Sequence, residues 1–120
     1  MGRRRRYGTT PIFTDQQFQD FFALYPSIRL ALLFGSRAIG KATATSDYDF
    51  ALLFAEPATD PWGHVAVMRS ELTSKLGLPD EDFDLVDLAN ADAAVLSGIA
   101  AGCRLLKGRP DELQRILSKN

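Results

Sequence analysis

Cysteine is almost absent from this 120-residue chain: Cys103 stands alone, which excludes an internal disulfide and any cysteine-built zinc site. Its expected place is that of a small buried apolar residue. Histidine is equally scarce. His64 is the one imidazole, so a Ser-His-acid hydrolase has no conventional base near Ser36, and His64 itself is expected to be a surface group or a satisfied partner. No apolar run approaches the roughly 20 residues that span a bilayer, and the first residues lack the apolar stretch of a secretory signal. A cytoplasmic protein with no membrane partner is therefore expected. Charge of one sign is missing too: Lys and Arg total 14 against 15 Asp and Glu, a formal charge of −1. The overall field does not favour nucleic acid, and direct nucleic-acid binding is not expected.

What the chain does have is 46% hydrophobic residues and 24% charged ones, enough for one globular domain with a modest core. The expected division is a basic flexible tail over residues 1–13, carrying Arg3-Arg4-Arg5-Arg6, and a single domain over 14–120. Gly2 does not make a lipidation signal, because Arg6 occupies the position that needs Ser or Thr. Thr14 caps an expected helix over 14–25 whose Phe18, Phe21, Phe22 and Tyr25 form a stripe, assigned to the core rather than to a partner. Residues 28–34 form an apolar run between Pro26 and Gly35, a buried strand. Residues 37–46 are small and polar, a short helix or loop, and 47–54 are a second strand. Val65, Met68, Leu72 and Leu76 mark a helix up to Gly77, with Trp62 packing at its entrance. A third strand is expected at 83–88, a helix at 92–101, a short strand at 104–107 and a terminal helix opened by Pro110. The fold class is α/β (α+β): a small mixed sheet of three to four strands flanked by helices.

Three features converge on one end of that sheet. Gly35-Ser36 ends the first strand, where glycine permits the sharp exit and close backbone approach of a phosphate loop. Asp47 and Asp49 are two apart on a strand, so their carboxylates share a face, a costly arrangement without positive charge between them. Oxygen ligands of this kind suit Mg²⁺ or Mn²⁺. Strands one and two are joined by a short excursion and are expected to be antiparallel, whereas the long connection to strand three allows a parallel crossover. That topology selects Asp84 as the third ligand over Asp87, which falls at the far end, with Asp82 as a second candidate. Arg37 and Lys41 would add positive charge to the same mouth for a nucleoside triphosphate.

Gly35-Ser36, ten intervening residues and Asp47-x-Asp49 resemble the signature of the DNA polymerase β-like nucleotidyltransferase superfamily. The strings Gly-Ser-Arg-Ala-x-Gly and Thr-Ser-Asp-Tyr-Asp are similar to those of its minimal nucleotidyltransferases (MNT proteins), and Phe83-Asp84-Leu85-Val86-Asp87-Leu88 resembles the strand of the third carboxylate. The likeness runs from about residue 28 to 107. It implies a palm-like fold, ATP as substrate, and transfer of AMP to an acceptor hydroxyl with release of pyrophosphate. Asp47 and Asp49 would carry metal, Asp84 would complete the site and assist deprotonation of the acceptor, and Gly35 and Ser36 would hold phosphates. Many such proteins are antitoxins paired with HEPN ribonuclease toxins, which makes a HEPN-type toxin the expected partner and adenylylation of it the expected activity. Two other outcomes are an antitoxin that silences its toxin by binding alone, and an aminoglycoside-type nucleotidyltransferase subunit. One departure stands out: relatives often carry Arg where this chain has Ile39, which removes a cation from the phosphate mouth.

Overall fold

Alternation is the rule that organises this molecule, because its two central strands bury both faces. The computed structural model describes residues 10–56 and 63–118. In β1 (Ile28–Phe34) Ala31 and Leu33 point to one side of the sheet, Leu30 and Leu32 to the other, and all four are buried. β2 (Tyr48–Phe54) does the same with Phe50 and Leu52 against Ala51. β3 (Phe83–Asp87) and β4 (Cys103–Lys107) are shorter and form the edges, giving the order β3-β2-β1-β4. β1 runs antiparallel to both β2 and β4, and β2 runs parallel to β3. The expected mixed sheet, its antiparallel first pair and its parallel crossover are all present.

Helices cover both faces. α1 (Asp15–Phe22) starts at Thr14, whose side chain accepts from the Gln17 N–H while the Gln17 side chain accepts from the Thr14 N–H, a reciprocal capping box. Its Phe18 packs on Tyr48 and Phe50, Phe22 on Phe50, and Phe21 on Phe22 and Tyr25, so the aromatic stripe belongs to the core as expected. The helix proper stops three residues short of the expected end, and turn hydrogen bonds carry the chain on to Tyr25. α2 (Gly63–Glu71) joins the same layer through Met68 and runs on into a π-helical turn, Leu72–Leu76, that buries Leu72. On the opposite face α3 (Ala93–Ala101), capped by Asp92, and α4 (Pro110–Ser118) contribute Leu96, Ile99 and Leu113. Between β1 and β2 the segment expected as a short helix or loop is a loop of turns. No helix among the described residues is long and apolar enough to cross a membrane.

The basic run Arg3–Arg6 and Trp62 lie outside the described residues. Residues 10–13, assigned to the tail from sequence, are held to the domain although Ile12 is exposed: Thr10 is buried and donates its N–H to the Ala44 carbonyl. The Tyr48 hydroxyl donates to the Pro11 carbonyl at 2.9 Å and accepts from the Phe13 N–H at 3.0 Å. A strap is therefore fastened to the strand that carries Asp49.

Candidate active site

The parallel register of β2 and β3 places Asp49 directly beside Asp84. Since successive residues of a strand face opposite ways, both carboxylates lie on the α3–α4 side of the sheet, whereas Tyr48 and Phe83 turn into the α1–α2 core. Asp47, two residues before Asp49, sits at the entry to β2. Asp84 is exposed and Asp49 half-buried. Burial, and then the neighbouring charges of Asp84 and Asp47, push the Asp49 carboxyl up to about 6. That perturbation shows that the three carboxylates stand close enough to repel one another. Among the described residues no three acidic, His or Cys side chains are grouped so as to hold a metal ion by themselves. An open arrangement suits Mg²⁺, which keeps several waters and leans on one or two carboxylates together with substrate phosphates.

Gly35 follows β1, where Phe34 pairs with Asp49. Its φ of 77° lies in the left-handed region, and a Cβ built there would collide with the Asp49 carboxylate. Glycine is thus required twice, for the turn and for the close approach. The turn continues with the Ala38 N–H donating to the Gly35 carbonyl and the Lys41 N–H to the Ser36 carbonyl. Ser36 is half-buried, and its hydroxyl makes no hydrogen bond among the described residues. Gly35 and Ser36 are therefore brought to the carboxylates; Lys41 stands exposed on the same loop.

Arg37 goes elsewhere. Its Nε donates to the Ser46 carbonyl at 2.8 Å and its guanidinium lies 4.6 Å over the Tyr48 ring, on the sheet face away from Asp49. Ten small residues without helical periodicity give no register from which that direction could be foreseen. Arg37 fastens the far end of the loop instead of lining the phosphate mouth. Asp82 is buried in the 3-10 turn Asp80–Asp82 and does not join the exposed Asp84. Asp87 pairs with Leu52 three residues further along and caps the turn Leu88–Asn90, accepting from the Ala89 N–H. His64 stacks on Phe54 and bonds the Glu56 carbonyl, as a satisfied partner should. Cys103 is half-buried, and burial holds its thiol above the usual range.

Sequence reasoning did not single out Arg104. Its Nε and one terminal nitrogen grip both oxygens of Asp15 at 2.8 and 3.1 Å, and the other donates to the Ala38 carbonyl at 3.1 Å. One side chain thereby ties β4 to the start of α1 and to the loop after Gly35. Ile39, exposed over nearly half its surface, seats against Gly102, where any Cβ would press on its methyl group. Because both partners of the ion pair are partly solvated, Arg104→Gln is expected to cost about 1 kcal/mol. Scanning calorimetry should show a midpoint roughly 4 °C lower.

The match to known proteins falls on this same region. The family model described as "Polymerase beta, Nucleotidyltransferase" matches residues 16–112. The chain belongs to that family. A crystal structure of a toxin-antitoxin with AMP-PNP is similar at 26% identity, with a TM-score of 0.70 over 89% of this chain and 83% of the other. A tri-AMPylated Shewanella oneidensis HEPN toxin in complex with MNT antitoxin is similar at 25% identity, with a TM-score of 0.62 over 88% and 82%. A further Shewanella oneidensis structure, at 19% identity and a TM-score of 0.61, shares the fold. No curated protein matches the chain.

Proposed function

We propose that this nucleotidyltransferase-family protein is an MNT antitoxin that transfers AMP from ATP to a hydroxyl of a HEPN-type toxin. The observation that carries the reading is the Asp49–Asp84 register beside the left-handed Gly35 turn. That arrangement joins a phosphate-holding loop to a cation-holding pair at one sheet end. The similarity to solved complexes containing AMP-PNP or an AMPylated toxin supports the choice of nucleotide and partner.

In this reading Gly35 and Ser36 hold the phosphates, with the free Ser36 hydroxyl as a donor, and Lys41 adds charge at the rim. Asp47, Asp49 and Asp84 hold the divalent cation. Mg²⁺ or Mn²⁺ bound there supplies positive charge to phosphate oxygens during displacement. The acceptor oxygen forms a bond to the α-phosphorus as the bond to the β-phosphate bridge breaks, and pyrophosphate leaves. The hydroxyl proton goes to the exposed Asp84 carboxylate. Arg37 is left out of the phosphate contacts.

Labelled ATP, Mg²⁺ or Mn²⁺ and a HEPN-type protein as acceptor should yield labelled toxin and one pyrophosphate per label. No transfer with any triphosphate or metal would sink the enzymatic reading. A second reading, protection by binding alone, is favoured by two side chains of the loop: Ile39 is apolar and Arg37 faces away. The two part on the double variant Asp47→Asn with Asp49→Asn. Catalytic antitoxins lose protection, and occupancy antitoxins keep it with the complex intact.

A further inference from the structure

Strand order gives the site a direction. Crossing the sheet from β1 to its edge, one meets the Gly35 turn, then Asp49, then Asp84 on β3, beyond which no strand follows. Displacement at phosphorus places the incoming and departing oxygens on opposite sides. If pyrophosphate leaves towards the Gly35–Ser36 turn, the acceptor must arrive over the β3 edge. A groove of about 450 Å³ lies along that edge. Val86, Ala91 and Val95 give it apolar walls, and Asp87, Asn90 and Asp92 stand at its polar rim. Val86 is on the same sheet face as Asp84, two residues on, so a chain lying in the groove passes from it to the carboxylate within about three residues at 3.3 Å each.

We infer that this groove docks the acceptor segment of the partner protein, an extended stretch that brings its hydroxyl to Asp84 and sets an apolar side chain between Val86 and Val95. The inference rests on the proposed AMP transfer and adds to it where the acceptor lies and what it carries. Charge complementarity defines the rest of the segment. Asp87 accepts from the Ala89 N–H and the Asn90 amide and Asp92 from the Val95 N–H, and neither carboxylate has a cationic partner among the described residues. The matching segment has Lys or Arg within a few residues of its hydroxyl. A free aminoglycoside, lacking apolar surface, would gain nothing from the walls.

Ala91→Trp fills the groove, and Asn90→Arg puts a cation between the two acids of its rim without enlarging a buried side chain. Both are compared with the unaltered chain for AMP-PNP affinity, for thermal midpoint, and for labelling of the HEPN-type protein at several concentrations. The expected result is a KM for the protein acceptor raised at least tenfold in each variant, with AMP-PNP affinity within twofold of the starting value. Asn90→Arg keeps the test valid if Ala91→Trp unfolds. Unchanged acceptor KM in Asn90→Arg, with transfer intact, overturns the docking assignment and leaves AMP transfer standing. Lost AMP-PNP affinity instead would assign the groove to the nucleoside and overturn it as well. Absence of transfer by the unaltered chain removes the reading on which the inference rests.

Discussion

Replacing Asp49 by Asn is expected to abolish AMP transfer and at the same time to make the metal-free protein more stable. The two effects have one origin. Asp49 is half-buried beside Asp84 and near Asp47, and its carboxyl is pushed up to about 6. For transfer, removing its charge takes away part of the cation grip, worth several kcal/mol at a transition state. Labelling of the toxin should fall by about 10³-fold or more. For stability the sign follows from the two protonation states. The unfolded carboxyl ionises near 3.8 and the folded one near 6. Well below 3.8 it is protonated in both states and costs nothing. The penalty grows as pH rises and is complete above the folded value. A displacement of that size is about 3 kcal/mol at full strength, and solvent around a half-buried group reduces it to about 1 kcal/mol. Metal-free Asp49→Asn should therefore melt roughly 4 °C higher than the unaltered chain at pH 7.5 and at nearly the same temperature as it at pH 3.5. Mg²⁺ with AMP-PNP should reverse the order at pH 7.5 by stabilising only the unaltered chain. A variant that is both inactive and less stable at pH 7.5 would contradict this account.

Gly35→Ala carries the second large effect. At φ 77° an alanine costs about 1–2 kcal/mol from its Cβ alone. Here that Cβ also meets the Asp49 carboxylate, so the turn or the acid must move. Either movement separates phosphate loop from carboxylates, and misplacement by about 1 Å can cost 10²-fold in rate. The expected outcome is a melting point lower by roughly 4–8 °C together with loss of measurable AMP-PNP binding. The double variant Gly35→Ala with Asp49→Gly tests the mechanism: opening space beside the new methyl should recover part of the stability and none of the transfer. If the single variant binds AMP-PNP normally, the close approach has no functional weight.

Much of this site was legible because strands impose a strict period. An apolar run at 28–34, a second strand read over 47–54, one short connection and one long one were enough to place Asp49 against Asp84 and to send Asp87 to the far end. What escaped was set by contacts between distant residues. Arg104 meets Asp15 across 89 positions, and the Tyr48 hydroxyl meets Pro11 across 37, distances over which no local pattern informs. Arg37 was misdirected because its loop has no periodicity. The groove could not be foreseen, since its walls come from an edge strand, a 3-10 turn and the first turn of α3, and exist only once these pack.

Tyr48 stands between Asp47 and Asp49, yet its ring and hydroxyl serve the opposite side of the sheet, where they clasp Pro11 and Phe13. The strand is thus a lever with chemistry on one arm and the chain's entry on the other. For anyone handling the protein, trimming past Thr10 would tug on the carboxylates from behind.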